Sequence, residues 1–120
     1  METEEYFLDK GCVVTGAASG IGFAVSESLL KVGAVVFMAD IDTKRLASAV
    51  EQLGAYAGRV HSEKVDVTNQ EQVQQLIQDA ASSHGRLDCL FNNAGVGAAV
   101  PIEQIKLEHW RPLLMITNQK

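Results

Sequence analysis

The sequence is poor in the features that mark several functional classes. Only two of its 120 residues are cysteine, and Cys12 and Cys89 each sit inside an apolar run. That argues against a disulfide-built scaffold and for two buried, reduced thiols. Histidine is as sparse: His61, His84 and His109 are scattered, and none is spaced with another histidine or a cysteine as metal ligands would be, so no metal site is expected. No apolar run approaches the length of a bilayer span. Positive charge is scarce too, with 10 Lys and Arg against 15 Asp and Glu and a net charge of −5. Such a surface argues against nucleic acid and anionic membranes as partners. The first residues, Met1-Glu2-Thr3-Glu4-Glu5, are acidic where a secretory signal would be basic and then apolar. The expected location is cytoplasmic.

What is present is a soluble composition, 47% hydrophobic and 21% charged, in a chain of one domain's length. Short apolar runs alternate with helical periodicity. Cys12 to Thr15 is an apolar run ended by Gly16. Ile21, Val25, Leu29 and Val32 then recur at helical spacing, closed by Gly33. Ala34 to Ala39 is a second run, ended by Asp40. Leu46, Val50 and Leu53 mark a second helix, expected to close at Gly54. A third strand lies between Arg59 and Val65. Thr68 with Glu71 forms a capping box for a third helix over Val73, Leu76, Ile77 and Ala80, ended at Gly85. Leu87 to Phe91 is a fourth strand, followed by an irregular stretch from Asn92 to Pro101 and a helical tail. Strands alternating with helices predict an α/β fold: a Rossmann-like, doubly wound parallel sheet of about four strands. Any ligand is expected beyond the carboxyl ends of the strands, where strand order reverses.

Two stretches carry chemistry. Thr15-Gly16-Ala17-Ala18-Ser19-Gly20-Ile21-Gly22 joins the first strand to the first helix. Glycines allow a tight turn and a close approach to a pyrophosphate, and the following helix offers unpaired N–H groups and a positive dipole end. No Gly-Lys-Ser/Thr follows, so it is not a P-loop. Asp40, eighteen residues after Gly22, ends the second strand, where a carboxylate can accept from ribose hydroxyls. Asp42 and Thr43 are the better candidates for a helix start. A 2′-phosphate about 4 Å from Asp40 would meet a repulsion of roughly 4 kcal/mol at an effective dielectric near 20, an upper figure for a partly wet site. NAD is therefore favoured over NADP, and Ser19 in place of a basic residue before Gly20 agrees. Lys44 and Arg45 are close enough in sequence for a phosphate to recruit them.

TGAASGIG at 15–22, Asp40, Asp66-Val67-Thr68 and Asn92-Asn93-Ala94-Gly95, each after its expected strand, resemble in order and spacing the short-chain dehydrogenase/reductase family. The resemblance runs from about Leu8 to Trp110 and implies a nicotinamide dinucleotide as partner, with NAD the expected cofactor. It implies that Gly16, Ser19, Gly20, Ile21 and Gly22 bind the pyrophosphate and that Asp40 holds the adenosine ribose. Asp66 and Val67 would contact the adenine, and Asn93, Ala94 and Gly95 would line the cofactor beyond the fourth strand. For Asn92, fastening neighbouring strands is as good a reading as touching a ligand.

The resemblance also implies a serine and a Tyr-x-x-x-Lys pair further along, the tyrosine acting as general acid/base. The tyrosines here are Tyr6 and Tyr56. Tyr6 stands four residues before Lys10, but ahead of the first strand, and is read as coincidence. His109 to Ile116 resembles the entry to the family's next long helix, but Thr117 occupies the position of its relay asparagine and Asn118 is one residue late. No catalytic residue is assigned. The expectation is one partial dinucleotide-binding domain over 1–120, of an oxidoreductase family interconverting alcohols and carbonyls by hydride transfer, without independent catalysis. The alternatives are a non-catalytic nucleotide-binding or docking isoform, or an inactive truncation. A full-length relative or a second-half chain are the candidate protein partners. An open edge on the fourth strand and a bare apolar helix at Leu113 to Ile116 are expected with them.

Overall fold

The computed structural model describes residues 6–93 and the backbone of 115–117. The elements are β1 (Gly11–Thr15), α1 (Gly20–Lys31), β2 (Val35–Asp40), α2 (Thr43–Gln52), a 3₁₀ turn (Gly54–Tyr56), β3 (Val60–Lys64), α3 (Gln70–His84), β4 (Cys89–Asn92) and β5 (Met115–Thr117). All strand pairs are parallel, in the order β3-β2-β1-β4-β5. The order reverses between β1 and β4, so the crevice beyond their carboxyl ends is the natural ligand position of such a sheet.

The period of two along each strand sorts side chains onto two faces. Val13, Val35, Phe37, Ala39 and Leu90 point to one face, where α3 covers them with Val73, Leu76, Ile77 and Ala80. Cys12, Val14, Val36, Met38 and Cys89 point to the other, against Leu29 and Leu30 of α1 and Leu46 and Ala49 of α2. Burial on both faces is why β1 and β2 read as unbroken apolar runs. β3 is one of the two edge strands of the described sheet, and Val-His-Ser-Glu-Lys is correspondingly polar. Cys12 and Cys89 sit opposite each other in register, both buried and both free. The Cys12 thiol is pushed up by its hydrogen bond with Cys89 and by burial, whereas that bond holds Cys89 down.

Three local expectations are corrected. α3 is capped by Asn69, whose side chain accepts from the Gln72 amide, and not by a Thr68–Glu71 box. The Thr68 hydroxyl is already used, donating to Asp66 at 2.6 Å. α2 ends at Gln52 with Leu53 as its cap, and Gly54 opens a 3₁₀ turn instead of terminating the helix. Finally, Met115–Thr117 is a strand where a helix through Ile116 was expected, and it pairs with β4 in register Leu90↔Met115 to Asn92↔Thr117. A short apolar run does not distinguish helix from strand by itself, and the ladder groups of β4 decide for strand. β4 is therefore not an open edge. The rest of the expected helix, Leu113 and Leu114, lies outside the described residues.

The end of the sheet opposite the crevice is tied down by charge. Arg59 donates from Nη1 to the carbonyls of Leu30 at 3.0 Å and Ala34 at 2.7 Å, closing the carboxyl end of α1 where a cation also suits the helix dipole. Tyr6 and Lys10 do meet, with Nζ 4.9 Å from the ring centroid, but ahead of β1 and away from the crevice. Among the described residues no helix is long and apolar enough to cross a membrane.

Candidate functional site

Each strand of the β1–β2–β3 group delivers residues to the same crevice. From β1 the chain leaves through Gly16 and Gly20, at φ 63° and 62°, the left-handed region that a side chain resists. This turn brings Ser19 to the N-cap of α1 in extended conformation, yet Ser19 makes no side-chain cap bond. No acid stands in the first turn of α1 either. α2 and α3, by contrast, are capped by Asp42 and Asn69. The first N–H groups of α1 thus face the crevice without a side-chain acceptor, at the positive end of the helix dipole, which suits an anion. A Cβ on Gly20 would meet nothing within 4 Å, so the approach to its backbone is open.

A cleft of about 180 Å³ brings together Gly16, Asp40, Ile41, Val65, Asp66 and Val67. Four of these were expected from sequence. Ile41 and Val65 were not: Ile41 is 56% exposed, an apolar side chain directly after the strand-ending acid, and that is the signal that could have found it. Asp40 accepts from the Ala18 amide with Oδ2 at 3.0 Å and from the Asp42 amide with Oδ1 at 2.9 Å. Arg45 is paired with Asp42 at 3.6 Å. Ile21 is placed differently. It is 57% exposed on the outer face of α1 and lines a separate apolar groove of about 360 Å³ with Phe7, Val25 and Leu29.

The β4 side of the crevice is a hydrogen-bonded clasp. The Thr15 hydroxyl donates to Asn92 Oδ1 at 2.9 Å and accepts from the Asn93 amide at 3.0 Å. Asn93 Nδ2 reaches the Gly16 carbonyl at 3.4 Å. Asn92 here fastens β1 to β4. Asn93 borders the glycine loop. Ala94 and Gly95 lie outside the described residues, as does Asn118.

Asp66 stands at the other wall. Its Oδ1 accepts from the Thr68 hydroxyl at 2.6 Å and the Thr68 amide at 2.9 Å, and its own amide donates to Gln72 Oε1 at 2.8 Å. These Thr68 bonds, with Lys64 adding a little, hold the Asp66 carboxyl below the ordinary aspartate value. A depressed folded-state pKa means that the contribution is present above the unfolded value and is lost as pH falls through the folded one. We expect the Asp66 carboxyl, followed by NMR, to titrate below free aspartate, and Thr68→Ala to move its midpoint up toward the ordinary value. An unmoved midpoint would refute the Thr68 attribution.

The family model described as short chain dehydrogenase matches residues 10–120. A short chain dehydrogenase/reductase of Colletotrichum higginsianum is 38% identical over 108 residues, which cover 89% of this chain and 40% of that protein. Among solved structures, a short chain dehydrogenase/reductase of Burkholderia phymatum in complex with NAD superposes with a TM-score of 0.71 at 41% identity, covering 75% of this chain and 32% of that one. The 3-ketoacyl-(acyl-carrier-protein) reductase of Brucella melitensis complexed with NADH gives 0.67 at 28% identity, over 75% and 36%. The chain spans 36 to 44% of the length of the curated relatives it matches. With the sheet order, the glycine turn and the clasp behind it in place, the chain belongs to the short chain dehydrogenase family.

Proposed function

We propose that this chain binds NAD(H) in the crevice beyond β1, β2 and β3, as the nucleotide-binding part of an oxidoreductase. The observation that carries the reading is the cleft itself. It sets an acid that can accept from ribose hydroxyls beside the uncapped, glycine-turned start of α1, with apolar Ile41, Val65 and Val67 lining the same cleft. That is the chemistry of a dinucleotide: anionic phosphates on helix N–H groups, a diol on a carboxylate, a flat base among apolar side chains. The residues present fit such a group. In this reading Gly16, Ser19, Gly20, Ile21 (through its backbone) and Gly22 form the pyrophosphate cradle, Asp40 takes the ribose, Asp66 and Val67 border the adenine, and Asn93, Ala94 and Gly95 line the path onward.

The relatives bound to NAD and NADH in their crystal structures support this choice of cofactor. Asp40 supports NAD over NADP, through its repulsion of a 2′-phosphate. When bound, the nicotinamide would supply or accept a hydride. Among the described residues the crevice supplies binding and orientation in this reading, and neither Tyr6 nor Tyr56 lines it. A full-length relative or a second-half chain would complete the chemistry, and the groove along α1 is the apolar surface that such a chain could cover.

Calorimetric titration of the purified chain with NADH, with NADPH alongside, tests the reading. NADH is expected to bind more tightly than NADPH, and Asp40→Ala to weaken NADH by about tenfold or more, near 1.4 kcal/mol. Soluble, folded protein giving no heat with either nucleotide would sink it. Equal affinity for both would remove the NAD preference alone.

A further inference from the structure

The loop between β1 and α1 is held from both sides. On the β4 side, Asn93 Nδ2 reaches the Gly16 carbonyl. On the β2 side, two successive amides are taken up: Ala17 donates to the Ala39 carbonyl at 3.0 Å, and Ala18 donates to Asp40 Oδ2 at 3.0 Å. The first is a backbone bond that any residue at 39 would supply. The second depends on the side chain at 40. The same carboxylate is fixed from below, where its Oδ1 accepts from the Asp42 amide at 2.9 Å, and Asp42 is itself the cap of α2.

We propose that Asp40 is a positioning residue for the phosphate loop as well as the acceptor for the ribose. Its carboxylate is a strut between the start of α2 and the turn before α1. It cannot swing out of the cleft without releasing both amides. A carboxylate has room for about four hydrogen bonds, so holding two amides leaves capacity for the ribose diol. The two halves of the site are therefore one mechanical unit: what engages Asp40 from the cleft acts on the loop that faces the pyrophosphate. The strut stands on the geometry of the free chain, and only its link to phosphate rests on the dinucleotide reading above.

The test is amide hydrogen exchange by NMR on the free chain, followed by titration with inorganic pyrophosphate, which has no ribose. In Asp40→Ala, exchange at Ala18 is expected to quicken tenfold or more while the sheet amides of Val13 and Val14 stay as they were. Asp40→Asn keeps the volume and one acceptor oxygen, so it holds one of the two amides and guards against a simple failure to fold. Pyrophosphate is expected to bind at least threefold more weakly to Asp40→Ala. Unchanged exchange at Ala18 in both variants overturns the strut. Exchange that quickens equally at Val13 and Val14 in both overturns it too, as general loosening. Faster exchange at Ala18 with equal pyrophosphate affinity overturns the link to the phosphate site. If the unaltered chain binds neither pyrophosphate nor NADH, the dinucleotide reading fails, and the exchange at Ala18 still decides the strut.

Discussion

Gly22→Ala is expected to lower the thermal midpoint of the chain by roughly 12 °C and to abolish NADH binding. A Cβ at this position would lie 2.0 Å from the Gly16 carbonyl oxygen, 2.7 Å from its carbon and 3.0 Å from Asn93 Nδ2. The first two are backbone atoms and cannot rotate away. Gly16 cannot move either, because it follows Thr15 in the central strand and precedes Ala17, whose amide is bonded to β2. The strain must be relieved by lifting α1 off the sheet, which opens the packing of Leu29 and Leu30. Overpacking of this kind costs about 1–3 kcal/mol and occasionally more. With a contact this short we place it near 3 kcal/mol, at roughly 4 °C for each kcal/mol in a domain of this size. The lifted helix would carry its N–H groups away from the glycine turn, so binding fails even in the folded fraction. Gly54→Ala is the control: nothing lies within 4 Å of its Cβ, and its expected effect is neutral to slightly stabilising. Thermal unfolding by circular dichroism checks both. A Gly22→Ala chain melting within about 3 °C of the unaltered one would show that the helix does not press on the loop as described.

The sequence shows that position 22 is glycine but not why. The motif suggests closeness to a phosphate, whereas the structure shows closeness to the chain's own Gly16 carbonyl. The same division runs through the molecule. β1 and β2 were legible because both faces are buried and every residue must be apolar. β3 was indistinct because an edge strand is covered on fewer sides, and His61, Ser62, Glu63 and Lys64 carry no apolar pattern. Asp40 and Asp66 were placed by their position after a strand, and the cleft brings them together. Ile41 escaped notice because an isolated exposed isoleucine is ordinary on any surface. The caps of α2 and α3 differ in legibility for a local reason. Asp42 and Thr43 are consecutive and both serve, one as cap and the other as first helical residue, whereas Thr68 and Asn69 compete for one cap, and Asp66 settles the contest by occupying Thr68. The strand at Met115–Thr117 was illegible because its partner, β4, lies far back in sequence and only pairing distinguishes it.

Asp88 is the clearest residue that sequence reasoning passed over, and its removal is the second large effect expected. It lies in an apolar run, with Leu87, Cys89 and Leu90 buried around it, and is 2% exposed. A carboxylate there needs partners, and Arg86 two residues earlier was the available signal. Arg86 meets it as a fork, Nε to Oδ2 at 2.8 Å and Nη2 to Oδ1 at 2.6 Å. The same Oδ2 accepts from the buried Gly11 amide at 3.0 Å, while the Asp88 amide donates to the Gly11 carbonyl at 2.9 Å. Side chain and backbone thus join β1 to β4 at the end of the sheet away from the crevice. Asp88→Ala leaves the Gly11 amide buried without this acceptor, which costs about 1–3 kcal/mol, and removes charge-assisted bonds worth about 1.5–3 kcal/mol, discounted because half-exposed Arg86 can return to water. A net loss near 3 kcal/mol is expected, a fall of roughly 12 °C. Asp88→Asn keeps an oxygen for Gly11 and is expected to lose about half as much. Neither variant touches the cleft, so NADH affinity, measured well below the lowered midpoint, should match that of the unaltered chain. A folded Asp88→Ala chain that had lost NADH binding would show that the two ends of β1 are coupled, and that the division between a stabilising end and a binding end is wrong.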